Sequence, residues 1–424
     1  MFSDRTNWKL ARNRFTQAVD EARAAGVRLL DLTVSNPTRV GLQYDSQAIL
    51  ATLVSSRTLD YDPQAKGLRE AREAVADYYR SDYGIRDLDV ERIILTTSTS
   101  EGYSFVFRLL CNAGDELLVP KPSYPLFEFL ADLQDVRLAP YPLIYDHGWQ
   151  MDFPSLEKAV TPRTRGVVVV HPNNPTGSYV KAREVGPLNA FCATHGLALI
   201  VDEVFLDYGL RCGAQDLYQA TPSEPALSLP KSVMRAFENQ SAFRRWGSFA
   251  ANHDVLTFTL SGLSKISALP QMKVAWIMTS GPEAEVAAVM ARLEVIADTY
   301  LSMNAPIQWA VPVLLGLRRS VQKQLLERVE KNLVELDRRL AGQRACQRLE
   351  VEGGWYAVVR VPVTRSDEDL AIELVREKQV LVHPGHFYDF LRDGYLVVSL
   401  IAPEGEFGNG IGRALEALNT QDFP

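Results

Sequence analysis

The sequence predicts an α/β chain: a large domain on a mainly parallel sheet, then a smaller α+β domain. Three features lead there. Apolar runs rich in β-branched residues recur across residues 46–300, among them RIILTTS, DELLVPK, RGVVVVHP, LALIVDEVF, VLTFTLSG and KVAWIMTS. Strands apolar on both faces belong in a sheet that is covered on both sides. Helix-like stretches such as SEGYSFVFRLLCN and VGPLNAFCATHG lie between them, which is the alternation of a parallel sheet. After residue 300 the pattern changes. A long helical stretch, with Pro306 and Pro312 near its start, leads into shorter strands (GGWYAVVRVP, QVLVHPG, YLVVSLI) and a last helix around IGRALEALN.

This gives a large domain over 46–300 and a small one over 301–424. Residues 1–45 are too few to fold alone and are expected to pack with the small domain. The segment 210–248, punctuated by Pro, Ser and Gly in its first part, reads as an excursion that is either a lid, an oligomer contact or a surface insertion. The glycine run at Gly408–Gly412 lacks G-x-G-x-x-G spacing and is expected to be a loop into the final helix.

Composition excludes several classes. The 424 residues are 46% hydrophobic with a formal net charge of -7, which argues against nucleic acid or an anionic membrane as the main partner. No apolar run approaches the roughly 20 residues that span a bilayer. Cys111, Cys192, Cys212 and Cys346 form no C-x-x-C pair, and the histidines show no H-E-x-x-H spacing, so neither a disulfide framework nor a metal site is expected. The charged start, MFSDRTNWKLARNRF, has no apolar signal core, and a cytoplasmic location is expected.

In open α/β sheets, ligands bind beyond the carboxyl ends of the strands. Three groups fall at such ends. Asn174 follows VVVVHPN, Asp202 ends LALIVD, and Lys265 follows LTFTLSGLS. Each alone has a plain structural reading: a turn in NNPTG, a helix cap in Asp202-Glu203, a lysine that reaches out to water. Together they supply what pyridoxal phosphate chemistry requires. An amine condenses with the cofactor aldehyde, a carboxylate keeps the pyridine nitrogen protonated, and a donor fixes the phenolic oxygen. Oriented amides or hydroxyls at a helix start hold the phosphate.

These motifs, in this order, resemble the class I/II aminotransferases of pyridoxal phosphate fold type I, nearest to the alanine and tyrosine aminotransferase-like members. HPNNPTG is similar to the family's N-P-N-N-P-T-G, which makes Asn174 the partner of the phenolic oxygen. VDEVF resembles D-E-[IV]-Y and makes Asp202 the pyridinium partner. SGLSK implies Lys265 as the Schiff-base lysine, with Ser264 beside it at the cofactor. TSTSEG stands where the family cradles the phosphate, implicating Ser98, Thr99 and Ser100. PKPSYP implies that Tyr124 stacks on the pyridine ring. YDPQAKGLRE resembles a segment whose tyrosine, here Tyr61, reaches the phosphate of the other subunit, which implies a homodimer. LTVSNP resembles the loop over the substrate and implicates Asn36. The resemblance implies an enzyme that moves an amino group from an amino acid to a 2-oxo acid through a Lys265 aldimine. Alternatives on the same scaffold are a C–S or other β-lyase and a non-catalytic relative that binds the cofactor.

Four positions depart from the family pattern. Lys273 stands where an arginine usually grips the phosphate, and can supply charge but not a two-pronged fork. Phe205 replaces a tyrosine whose hydroxyl donates to the phenolic oxygen. Ser98 replaces a glycine, so a positive φ there would be strained, whereas an ordinary φ would let it lend its hydroxyl. Val397, in YLVVSL, replaces the arginine that clamps the substrate carboxylate. Arg392 is one candidate substitute, and His386 and Tyr388 could face the pocket.

Overall fold

The computed structural model of the chain describes residues 1–8, 10–210 and 247–419. The excursion expected over 210–248 therefore lies, but for its edges, outside the described residues.

The large unit is an eight-stranded sheet. In spatial order its strands are Ile93–Thr96, Ala275–Ser280, Thr257–Gly262, Ala198–Asp202, Thr164–Val170, Glu116–Lys121, Arg137–Tyr145 and Trp149–Met151. Ala275–Ser280 runs antiparallel to both its neighbours and Trp149–Met151 antiparallel to its one neighbour, while every other pairing is parallel. The side-chain period of two explains why the central strands are apolar throughout. Val168, Val170, Ile200 and Leu260 pack on one face with Phe105, Phe107 and Leu293. Val167, Val169, Leu199 and Val201 pack on the other with Leu188, Phe191 and Cys192. Helices cover both faces of the central strands, while Arg137–Tyr145 toward the edge is partly exposed.

The second unit has an antiparallel sheet in the order Gln347–Arg348, Tyr356–Arg360, Tyr395–Ser399 and His383–Pro384. Long helices, Arg318–Leu340 and Glu404–Asn419, pack on it through Leu336, Val329, Phe407 and Ile411. The N-terminal segment joins this core. Phe15, Ala18 and Val19 of the helix Arg14–Ala24 are buried in it, each apolar side chain of that kind contributing up to about 2–3 kcal/mol. Asn13 caps that helix by accepting the Thr16 amide at 2.7 Å. Leu30–Asp31 adds a short parallel pairing to Val380–Leu381.

The glycine run at Gly408–Gly412 is not a loop. It lies inside the helix Glu404–Asn419, and a Cβ on Gly410 would come within 2.9 Å of the Leu32 side chain. Close approach to Leu32, not backbone freedom, is what glycine provides there.

Candidate active site

The sheet delivers three groups to one rim. Ala198–Asp202 and Thr257–Gly262 are adjacent parallel strands, with Asp202 opposite Leu260. Asp202 thus ends one strand just as the neighbour turns into the four-residue helix Leu263–Ile266 that carries Ser264 and Lys265. Val170 pairs with Asp202 on the other side, and the chain continues from there to Asn174. The strand-to-helix turn needs glycine at 262: a Cβ there would meet the Val274 carbonyl at 2.6 Å.

Asp202 is nearly buried and well held. Tyr103 donates its hydroxyl to Oδ2 at 3.0 Å, and the Val204 amide donates to Oδ1 at 3.0 Å. Burial nevertheless pushes its carboxyl up to about 6, with Val204, Tyr103 and Lys265 pulling it back down. Such a carboxylate is stabilised by any protonated nitrogen brought against it. Next to it, Glu203 is buried and accepts from Ser248 Oγ at 2.7 Å and the Phe249 amide at 2.6 Å. Burial raises it to about 8.

Lys265 sits in an aromatic setting. Its Nζ lies 4.8 Å from the centre of the Trp355 ring and 5.3 Å from that of Phe205, and the two rings meet edge to face at 5.2 Å. Burial lowers the ammonium to about 8, against the opposing pull of Asp202. The amine is therefore far closer to its neutral, nucleophilic form near neutral pH than a surface lysine.

The segment expected to cradle a phosphate starts a helix. Ser98 caps the 12-residue helix Thr99–Leu110 with its hydroxyl accepting the Glu101 amide at 3.1 Å. Its φ of -163° is extended backbone, so no left-handed strain arises where the family has glycine. Glu101 turns back to accept the Thr97 amide at 2.6 Å. Thr99 and Ser100 occupy the first helical turn, where amides point outward at the positive end of the helix. Lys273 is exposed and holds a left-handed backbone, φ 53°, two residues before the strand Ala275–Ser280. Its side chain has no ion pair among the described residues.

Asn174 is buried, and its Oδ1 has no hydrogen-bond partner among the described residues. An orphaned buried polar atom is costly, so this one fits a site that is completed by a ligand. Tyr124 is 41% exposed, and its phenol is raised chiefly by burial, with the nearby Asp202 charge adding to the rise. An amine, a buried carboxylate, a side-chain amide with an unpartnered oxygen, an accessible ring and a capped helix start together fit the groups that pyridoxal phosphate needs.

Other residues stand apart or differ. Tyr61 is 81% exposed at a cleft with Arg57, Gln308 and Trp309, and is not gathered to Lys265 within this chain. Asn36 is exposed, and its Oδ1 is taken by the Thr38 amide at 3.0 Å and hydroxyl at 2.7 Å. Val397 is fully buried and pairs with Val358 and His383. Arg392 does not stand in for an arginine there: it is exposed, with its guanidinium on the Tyr395 hydroxyl at 3.2 Å. His386 is exposed, whereas Tyr388 is buried with its hydroxyl 3.0 Å from His383 Nδ1. Tyr103 and Trp355 were not singled out by sequence. Tyr103 was findable as the residue one turn into the helix after TSTS, but nothing in GGWY marks Trp355 as facing a lysine.

The fold is that of the fold-type-I aminotransferases. The sequence profile described as aminotransferase class I and II matches residues 27–402, and the chain belongs to that family. Among relatives, the glutamate-pyruvate aminotransferase AlaA of Escherichia coli is 28% identical over 298 residues, covering 70% of this chain and 66% of that protein. The match thus spans slightly less than two thirds of that relative. The alanine aminotransferase of Mycobacterium bovis is 25% identical over 372 residues, covering 85% and 79%. Of solved structures, an alanine aminotransferase from Pyrococcus furiosus superposes with a TM-score of 0.84 at 19% identity, covering 99% of this chain and 100% of that one. Among the described residues, no helix is long and apolar enough to cross a membrane.

Proposed function

We propose that the chain is a pyridoxal phosphate-dependent aminotransferase that moves an amino group from an amino acid to a 2-oxo acid. The observation that carries this reading is the meeting of Lys265 and Asp202 at the ends of adjacent strands, one amine lowered to about 8 and one carboxyl raised to about 6. Bound there, the cofactor supplies an aldehyde for amines and a ring that draws electrons from the substrate carbon.

The chain's residues divide the work. Lys265 would hold the cofactor through its amine, and the free amine would take the proton from the substrate carbon as base and deliver it, as acid, to the carbon that was the cofactor's aldehyde. Asp202 holds the proton on the ring nitrogen, and Tyr103 holds Asp202 in place. Asn174 meets the phenolic oxygen and Tyr124 covers the ring. Ser98, Thr99, Ser100, Ser264 and Lys273 hold the phosphate, and Asn36 lies over the substrate. Tyr61 completes the phosphate site of a second copy in a homodimer. Its 81% exposure, beside Leu59 at 88% and Val54 at 84%, supports a surface that a partner covers.

The test is a half-reaction. Holoenzyme mixed with single amino acids and no oxo acid should lose its visible cofactor band and yield a stoichiometric oxo product. Continuous release of pyruvate and ammonia under the same conditions would instead mark a lyase. A band that responds to no amine would contradict transamination by the donors tried.

A further inference from the structure

The helix that carries Lys265 is a single turn, Leu263–Ile266, whose Leu263 carbonyl accepts the Ser267 amide and whose Lys265 carbonyl accepts the Ala268 amide, each at 3.1 Å. Side chains from three other parts of the chain add donors to this turn. Tyr208 donates its hydroxyl to the Lys265 carbonyl at 2.6 Å. Gln322 donates Nε2 to the Ile266 carbonyl at 2.9 Å. Tyr44 donates its hydroxyl to the Ala268 carbonyl at 2.9 Å, where Ala268 is buried and holds a left-handed φ of 51°.

Asp207 holds one of these donors, Gln322. Its Oδ2 takes the other proton of Gln322 Nε2 at 2.5 Å, and its Oδ1 accepts the hydroxyls of Tyr78, at 3.0 Å, and Tyr83. The amide of Gln322 is thereby aimed, and polarised by a carboxylate, at the lysine turn. The frame behind it is rigid. Arg318, on the same helix as Gln322, binds Asp82 of the helix Arg69–Tyr83 through Nε at 3.1 Å, and Arg319 binds the same carboxylate at 2.6 Å. Asp207 and Tyr208 also belong to the loop that leaves Asp202 and carries Phe205. One loop therefore supplies the carboxylate of the site, a ring beside Lys265 and two members of the clamp on the lysine's backbone.

We propose that Tyr44, Asp207, Tyr208 and Gln322 are positioning residues for Lys265. They fix the lysine turn relative to the Asp202 loop, so that Nζ and the carboxylate keep the separation that proton transfer requires. None of the four touches the reacting atoms. Because Gln322 lies on the helix Arg318–Leu340 and Tyr44 in the N-terminal segment, the clamp also ties the lysine to the elements that build the second unit. The proposal rests on Lys265 being the lysine that holds the cofactor.

The test uses the holoenzyme of Tyr208→Phe, Gln322→Met and Asp207→Asn, with Tyr44→Phe as a milder variant at a partly exposed hydroxyl should the others not fold. The control is Ser267→Ala. Ser267 donates outward to the Leu314 carbonyl at 3.0 Å, so its loss weakens the fold nearby without releasing a carbonyl of the turn. The clamp variants should lower kcat by about 10- to 100-fold with KM for the donor little changed, as misplacement by a fraction of an ångström to 1 Å does. They should also move the midpoint of the cofactor band's pH titration by about half a unit or more. Ser267→Ala should lower the melting temperature while leaving that midpoint in place. Clamp variants that melt earlier but titrate and turn over as the wild type does would overturn the proposal. A Lys265→Ala protein that keeps the band would overturn the assignment of the lysine itself, which is a separate failure.

Discussion

The Nζ of Lys265 lies 4.8 Å from the centre of the Trp355 indole and within the field of Asp202, yet its proton affinity is lowered. Desolvation outweighs both attractions. A ring face and a carboxylate favour the ammonium, but a half-buried amine held between Trp355 and Phe205 has lost more hydration than they restore. In the cofactor-free protein, Lys265 should therefore be modified by an amine-directed reagent with a midpoint near pH 8, where surface lysines show midpoints about two units higher. Peptide mass spectrometry after pulsed acylation across pH measures it. A midpoint with the surface lysines would contradict the burial.

The sign for stability follows. A lysine whose folded value is lowered binds fewer protons folded than unfolded between about 8 and 10.5, so stability rises with pH through that window and the penalty is full below it. Lys265→Met should raise the stability of the cofactor-free protein at pH 7 by about 1–2 kcal/mol, after discounting for the partial solvent access of the side chain. Urea denaturation of both proteins at pH 7 and at pH 10.5 checks this, with the gap closing at the higher pH.

Asp202→Asn keeps the shape and the Val204 contact but removes the charge that, in the proposed chemistry, would hold a proton on the ring nitrogen. The rate of the half-reaction should fall by about 10²-fold or more, while Tyr103→Phe, which only loosens Asp202, should cost less. Stopped-flow absorbance under single turnover separates the two. Equal losses would mean that Tyr103 does more than hold the carboxylate.

Glu203 gives a pH dependence of opposite sign to that of Lys265. Its carboxyl is raised from 4.5 to about 8, so its contribution to stability is complete below 4.5 and lost as pH rises through 8. Glu203→Gln keeps an acceptor for Ser248 Oγ or the Phe249 amide and removes the titration. The melting temperature of the wild type should fall by a few degrees more than that of Glu203→Gln between pH 5 and about 8. Parallel curves would place the ionisation elsewhere.

At Lys273 the charge matters more than the fork. Lys273→Ala should weaken pyridoxal phosphate binding by about tenfold, roughly 1.4 kcal/mol, and Lys273→Arg should bind at least as tightly as the wild type. Equilibrium titration of the cofactor-free protein reads both. Unchanged affinity in Lys273→Ala would remove Lys273 from the phosphate site.

Much of this was legible in the sequence for physical reasons. Strands apolar on both faces, such as VVVV before His171 and LALIV before Asp202, announce a covered parallel sheet, and the ends of such strands announce the rim. The Gly262 turn and the order of Asn174, Asp202 and Lys265 then fix which side chains meet. What stayed hidden depends on contacts distant in sequence. Gln322 lies 56 residues from Ile266 and reads as one more polar residue on an amphipathic helix. Trp355 reads as a core aromatic, and only the packing of the second unit brings it over Lys265. Ser98 could not be assigned a φ from its neighbours, since a serine cap and a strained glycine substitute look alike in sequence. Gly408–Gly412 misled because close packing, such as that of Gly410 against Leu32, selects glycine as a loop does.

The most direct measurement is the absorbance spectrum of the protein with pyridoxal phosphate, compared with Lys265→Ala and followed by addition of amino acids. A visible band in the wild type, absent from the variant and bleached by at least one amino donor with formation of the matching 2-oxo acid, is the result expected. An equal band in Lys265→Ala, or no band in either protein, would contradict the assignment of Lys265 on which the proposed chemistry stands.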